Sequence, residues 1–291
     1  MSGREVRITD AAGDQRCAEL NWGQAMGLRK RLKALGRAIG NGMHTRVPTD
    51  ARNVTELIGL LRPWRIDRNL IRVGPERDGG YLLPDDLAGI AACVSPGVSV
   101  QSGFDYAIAE RGIDVYMADA SVDGPALTHP RFHFEKRFFG PVTNAGNTTI
   151  EDFCAGIPGF ATGGDLLLQM DIEGAEYHVV QSMSATLLKR FRIMIIEFHG
   201  LKNLFHDFSH GLLRASFEKL LENHKVVHLH PNNCCGSISR HGIEVPRVME
   251  ITFYRNDRAE FQRREPIGFP HPLDADNLTT RSPLVLPPIW R

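Results

Sequence analysis

Cysteine is scarce in this chain. The five residues (Cys17, Cys93, Cys154, Cys234, Cys235) among 291 are odd in number and form no C-x-x-C spacing, which argues against a disulfide framework and a thiolate zinc site. Such usage fits a reducing compartment, so a cytoplasmic location is expected. An excess charge of one sign is lacking as well. Lys plus Arg equals Asp plus Glu, 34 against 34, so no bulk field gathers polyanions and no nucleic-acid partner is expected. No apolar run approaches the ~20 residues of a membrane span, and the opening MSGREVRITD has no apolar stretch of the kind a signal peptide needs. No transmembrane segment is therefore expected. The G-x-G-x-x-G spacing that cradles a pyrophosphate is also missing, which counts against NAD or FAD. What is present, 42% hydrophobic and 23% charged residues, is the composition of an ordinary globular protein with a sizeable core to bury.

The chain divides into three stretches. Residues 1–65 form a basic extension in which Arg29, Lys30, Arg31, Lys33 and Arg37 accompany Leu28, Leu32, Leu35 and Ile39 at helical spacing. A second helix is expected at Asn53–Leu61. Residues 66–260 alternate short β-rich runs with helical stretches, the pattern of a doubly wound α/β sheet. Strands are expected at Ala91–Ser95, Val115–Asp119, Phe132–Lys136, Leu166–Asp171, Arg192–Phe198, Lys225–His230 and Val248–Tyr254. Helices are expected at Gly103–Glu110, Ile150–Ala155, Ala175–Leu188 and His210–Glu222. No helix separates the last two strands, so the seventh should run antiparallel to its neighbour. Residues 261–291 hold six prolines (266, 270, 272, 283, 287, 288) and read as an extended arm.

Ligands of doubly wound sheets bind outside the carboxyl ends of the strands, so the residues standing there are the candidates for function. The first strand runs into Ser95-Pro96-Gly97, where Gly97 permits a tight turn beneath a nucleoside. The second ends in Asp119, about 20 residues later, a position from which a carboxylate can accept both hydroxyls of a ribose; a plain turn aspartate fits equally well. The fourth strand ends in Asp171-Ile172-Glu173-Gly174-Ala175-Glu176. Three carboxylates in six residues repel one another unless a cation is bound or the groups titrate. An acidic first turn that complements a helix dipole accounts for Glu176 and Glu173 but poorly for Asp171. The fifth strand ends in Glu197-Phe198-His199, so adjacent strand ends should bring Asp171, Glu197 and His199 into one crevice. His228 and His230 alternate along the sixth strand and share a face. They are either metal ligands beside those acids or partly buried histidines bonded to backbone.

The hexapeptide at Asp171–Glu176, following an apolar strand, resembles the FkbM family of S-adenosylmethionine-dependent methyltransferases, whose hallmark is D-[IV]-E-G-x-E. Arg72-Val73-Gly74, Asp78-Gly79-Gly80-Tyr81, Glu197-Phe198-His199-Gly200-Leu201, His228-x-His230-x-Asn232-Asn233 and Glu250–Tyr254 are similar to one branch of it. The resemblance covers roughly residues 70–256. It implies a class I methyltransferase fold with a seven-stranded Rossmann-like sheet, S-adenosylmethionine as cofactor, and O-methylation of a hydroxyl on a sugar, polysaccharide or secondary metabolite. On this reading Ser95, Gly97, Asp119, Asp171, Glu173, Arg72 and Asp78 bind the cofactor. One departure stands out: Val94-Ser95-Pro96-Gly97 holds neither the acid nor the several glycines usual in the first motif of methyltransferases.

A sugar hydroxyl is a poor acid, so its methylation calls for a general base or a metal. His199 is the expected base, with Glu197 and Asp171 beside it. Alternatively Asp171, Glu197, His228 and His230 hold a divalent metal. A metal-dependent hydrolase built on the Asp171, Glu197 and histidine cluster is the rival enzyme, and a catalytically idle binding protein on the same fold is the third alternative. The expected partner is a small-molecule or glycan acceptor, with self-association into a homo-oligomer left open.

Overall fold

The structure, a computed structural model, describes residues 47–98, 101–262 and 268–291. The basic stripe at residues 28–39 lies outside them. Seven of the apolar runs pair into one sheet: β1 (Ile90–Pro96), β2 (Asp114–Ala118), β3 (Phe132–Glu135), β4 (Asp165–Met170), β5 (Phe191–His199), β6 (His224–Pro231) and β7 (Val248–Arg255). Their order is β3-β2-β1-β4-β5-β7-β6. The first five run parallel, whereas β7 lies antiparallel between β5 and β6. This is the seven-stranded doubly wound sheet expected from the alternation of elements, with its reversed last strand. The chain builds outward from β1 through β2 to β3 and then returns to place β4 on the other edge of β1. The carboxyl ends of β1 and β4 therefore flank the point at which strand order reverses, where such sheets open a crevice.

Strands buried on both faces read as continuous apolar runs. In β5, Ile193 and Ile195 enter one core while Met194, Ile196 and Phe198 enter the other, because successive side chains alternate. Glu197 and His199 follow the same alternation onto the Ile193 face. That face is covered by α2 (Gly103–Ala109) and by a hairpin of Leu70–Val73 with Tyr81–Pro84. The opposite face is covered by α1 (Ala51–Leu60), α3 (Ile150–Ala155), α4 (Glu176–Ser182), α5 (Ala185–Leu188) and α6 (Asp207–Leu221). No helix of the described residues is long and apolar enough to cross a membrane.

Several details differ from the sequence reading, each for a local reason. The single helix expected at Ala175–Leu188 is two, because extended Ser184 caps a new start by accepting a hydrogen bond from Leu187 N (3.0 Å). Helix α1, expected in a separate extension, buries Val54, Leu57 and Ile58 in the main core; each such side chain contributes ~1.5–3 kcal/mol. The hairpin of Ser237–Arg240 with Ile243–Pro246 turns through His241-Gly242, both at positive φ, the conformation of a primed two-residue turn. A His-Gly pair is a weak sequence signal for such a turn.

The proline-rich tail, expected as an extended arm, runs through turns at residues 271–274 and 278–281 to a short 3-10 helix at Pro288–Trp290 and is fastened to the body. Trp290 is fully buried and donates through Nε1 to Glu244 O (3.0 Å), while Arg62 donates to Ile289 O (2.9 Å). Asp274 receives His228 Nε2 at 2.9 Å and lies 3.6 Å from His230 Nδ1. Burial opposes a charge on His230, but Glu250 and Asp274 outweigh it and push its pKa up to about 9. Burial alone would raise the Asp274 pKa; the two histidines hold it below the usual carboxylate range.

A histidine whose pKa is raised on folding stabilises fully below its unfolded value and loses that contribution as pH rises through the folded value. The His230 contribution should therefore fade between ~6.5 and about 9. Melting curves at the two ends of that window should show wild type losing ~2–4 °C more than His230→Gln for each kcal/mol involved. Equal pH slopes in the two proteins would refute the clasp.

Candidate functional site

The backbones of β1 and β4 meet directly at the crevice. Asp171 N donates to Pro96 O (3.1 Å), and Gly97 N donates to Ala118 O (3.2 Å). Gly97 sits at φ +86°, and a Cβ there would lie 1.6 Å from Asp171 O. Only glycine lets the two strand ends close to this distance. Beyond that contact the chain turns through Glu173 and Gly174, both at positive φ (55° and 110°). Glu176, fully buried at the start of α4, closes the turn: its Oε1 accepts from Ile172 N (3.3 Å) and Gly174 N (2.9 Å). Beyond its place in the first turn of α4, then, Glu176 fastens the strand end to the helix.

The same oxygen lies 3.1 Å from His199 Nδ1. A carboxylate can only accept, so Nδ1 carries the hydrogen and the neutral ring presents Nε2 as a lone pair. Nε2 points into the crevice, 3.4 Å from Glu173 Oε2, 3.8 Å from Glu197 Oε1 and 4.0 Å from Asp171 Oδ1. Burial disfavours the imidazolium, yet the Glu176 bond and the surrounding acids outweigh it and hold the His199 pKa above its ordinary value. The expected meeting of Asp171, Glu197 and His199 is thus present, with Glu176 as the anchor behind it.

Three of the acids, Asp171, Glu197 and Glu250, titrate upward, chiefly because they are buried. Burial pushes Asp171 to about 7, with His199 opposing and Glu173 and Glu176 adding to the rise. Glu197, buried and accepting from Asn232 Nδ2 (3.1 Å), is raised well above the carboxylate range by burial and by Asp171 and Glu250. Glu250 faces Glu197 across the β5–β7 pair and is raised as well, chiefly by burial. The crevice thus gathers acids that burial holds toward their protonated form, and a positively charged ligand group would draw them into the ionised one.

Other expected residues take different places. Ser95 is buried and donates to Gln169 Oε1 (2.8 Å). Asp119 accepts from Ser121 N and Oγ through Oδ1, both at 2.6 Å, a turn contact that leaves the described residues no hydrogen bond to Oδ2. Arg72 spends its guanidinium on backbone carbonyls of Pro75, Arg77 and Leu273; it shapes the loop that presents Asp78. Asp78 lies in the cleft with Gly97 and Asp171 and accepts from Gln101 and Asn277. His228 and His230 share a face as expected, but they turn to Asp274 and Asn277 of the tail and do not join Asp171. The cluster suited to a metal comprises Asp171, Glu173 and His199, whose donor atoms lie within 4.8 Å of one another. One carboxylate oxygen of that set, Asp171 Oδ1, is buried without a hydrogen bond.

The Gly97 contact can be tested by itself. Gly97→Ala should cost ~2–4 kcal/mol in urea unfolding, from strain and the Asp171 collision. Gly124→Ala, where a Cβ meets nothing within 4 Å, is the control. Equal stability of the two variants would contradict the close approach.

Residues 111–223 match the family described as "Methyltransferase FkbM domain", a span that holds Asp119, Asp171, Glu176, Glu197 and His199. No curated protein matches the chain. Among solved structures, one similar chain is a putative methyltransferase from an antibiotic biosynthesis pathway of Anabaena variabilis ATCC 29413, at 13% identity and TM-score 0.28. The match covers 64% of this chain and 66%, just under two thirds, of that one. Another is the Burkholderia thailandensis 1,6-didemethyltoxoflavin-N1-methyltransferase, solved with 1,6-didemethyltoxoflavin and S-adenosylhomocysteine, at 13% identity and TM-score 0.29, covering 82% and 93%. At these scores the superpositions are loose, and the assignment rests on the family match. That match favours methyl transfer over the rival hydrolase: residues 111–223 are similar to the FkbM methyltransferase domain.

Proposed function

We propose that this protein is an S-adenosylmethionine-dependent methyltransferase acting on a hydroxyl oxygen of a small molecule or glycan, such as a sugar, polysaccharide or secondary metabolite. The observation that carries the reading is the Glu176–His199 pair, anchored at the strand-order reversal within an FkbM domain. The residues present fit the cofactor: a glycine that lines the cleft and lets the two strand ends close beneath it, an acid at the end of β2, and a cluster of carboxylates suited to a cationic ligand. When bound, S-adenosylmethionine supplies a methyl group already activated on a sulfonium. Gly97 lets β1 close on β4 at the floor of the crevice, Asp119 offers Oδ2 to the ribose hydroxyls, and Asp171 with Glu173 lines the positive centre. His199 takes the acceptor proton on Nε2, while Glu176 holds the ring through Nδ1 and steadies the charge that develops. A hydroxyl acceptor needs such a base because it does not ionise unaided.

A second arrangement of the same reaction is favoured by the convergence of Asp171, Glu173 and His199. There Asp171, Glu173 and His199 would hold a divalent ion that would lower the acceptor pKa, and His199 would be a ligand instead of a base.

Methyl transfer from labelled cofactor to a panel of sugars and phenolic compounds tests the activity directly. His199→Ala should lower kcat by ~10²–10⁴-fold with S-adenosylhomocysteine affinity nearly unchanged. Insensitivity to EDTA is expected; loss of activity restored by Mg²⁺ or Mn²⁺ moves His199 to the metal. Separately, Asp119→Ala should weaken cofactor binding by ~1–3 kcal/mol in calorimetry, since a charge-assisted bond is lost. Unaltered affinity would remove Asp119 from the site.

A further inference from the structure

The turn after β1 carries no acid, and the polar cleft beside it receives one from elsewhere. Asp105, in the first turn of α2, is 5% exposed and lines that cleft together with Asp78, Gly97, Gln169 and Asp171. Its Oδ1 is buried and makes no hydrogen bond, and Asp105 enters no ion pair among the described residues. A buried carboxylate oxygen left unpaired is costly, so folded proteins seldom keep one without a use. Burial pushes the Asp105 pKa up to about 6, with the neighbouring Ser95 hydroxyl opposing the rise. The group still ionises near neutrality, in a cleft where a ligand cation would complete it.

The position of the cleft narrows what that cation is. β1 lies between β2, which is followed by Asp119, and β4, which is followed by Asp171. On the functional reading above, the ribose belongs at Asp119 and the sulfonium beside Asp171 and His199. Of the two parts then left, adenine is uncharged and the amino-acid arm carries a cation, so the arm is the part that suits this cleft, and its α-amino group is a primary ammonium with three donors. We propose that Asp105 binds the α-amino group of S-adenosylmethionine, supplying from α2 the acid that the Ser95-Pro96-Gly97 turn lacks. Gly97 lines the same cleft, and Asp78 there adds to the negative field. This inference rests on the cofactor reading and goes beyond it by assigning the subsite.

Calorimetry with three probes tests it without any activity measurement: S-adenosylhomocysteine, its deaminated analogue with hydrogen in place of the amino group, and 5′-methylthioadenosine, which lacks the whole arm. Wild type should bind the deaminated analogue ~10–50-fold more weakly than S-adenosylhomocysteine, the size of one lost charge-assisted pair. Asp105→Asn should lose a similar factor for S-adenosylhomocysteine, lose nothing further for the deaminated analogue, and bind 5′-methylthioadenosine like wild type. That pattern is a double-mutant cycle between the residue and the ammonium. An Asp105→Asn protein that binds S-adenosylhomocysteine normally, or loses all three probes equally, overturns the assignment and leaves the cofactor reading intact. Wild type that binds none of the probes overturns the cofactor reading and this inference with it. Should Asp105→Asn fail to fold, the wild-type comparison of the first two probes still decides: equal affinities refute the ammonium contact.

Discussion

One buried carboxylate oxygen organises the site. Glu176 Oε1 accepts from the backbone of the turn after β4 and faces the ring of His199 at the end of β5. A buried carboxylate is stable only when donors satisfy it, so the turn, the start of α4 and the histidine are mutually dependent. The left-handed backbone at Glu173 and Gly174 is strain that this arrangement holds in place. Through that single oxygen, two adjacent strands present one imidazole with a defined proton on Nδ1 and a lone pair on Nε2.

Around this anchor the crevice concentrates acidic groups. Asp171, Glu197 and Glu250 come from three neighbouring strands, and Asp78 from the hairpin loop. Burial raises the pKa of Asp171, Glu197 and Glu250, which is how a protein tolerates acids at this density without a cation. The same property makes the crevice receptive to one. A sulfonium and an ammonium both relieve the repulsion, and a divalent ion among Asp171, Glu173 and His199 would do so by the same physics.

The tail completes the wall of the crevice from outside the matched domain. Asn277 Nδ2 reaches both Asp78 Oδ1 (3.0 Å) and Glu250 Oε1 (2.9 Å), while Asp274 engages the two histidines of β6. Residues with prolines at irregular spacing thereby acquire a fixed course. Their side chains satisfy polar groups on the sheet face, and Trp290 anchors the far end in the core.

The sequence by itself determined the sheet. Apolar runs such as Leu166–Met170 and Ile193–Ile196 have no stable place except a buried parallel strand, and the helixless link before Val248–Tyr254 required a reversed last strand. It also carried Asp171, Glu197 and His199 to one edge, because strand ends are local features and a sheet brings its ends together. Only the tertiary structure decided what those side chains meet. Glu176 reads as a helix-dipole residue until a histidine from the next strand lies 3.1 Å away. Asp105 reads as an ordinary first-turn acid until its burial and unpaired oxygen are seen. His228 and His230 turn to Asp274, 46 and 44 residues later in sequence, a pairing no spacing rule encodes. Periodicity is set by neighbours along the chain, whereas hydrogen-bond partners and burial are set by residues that only folding brings near.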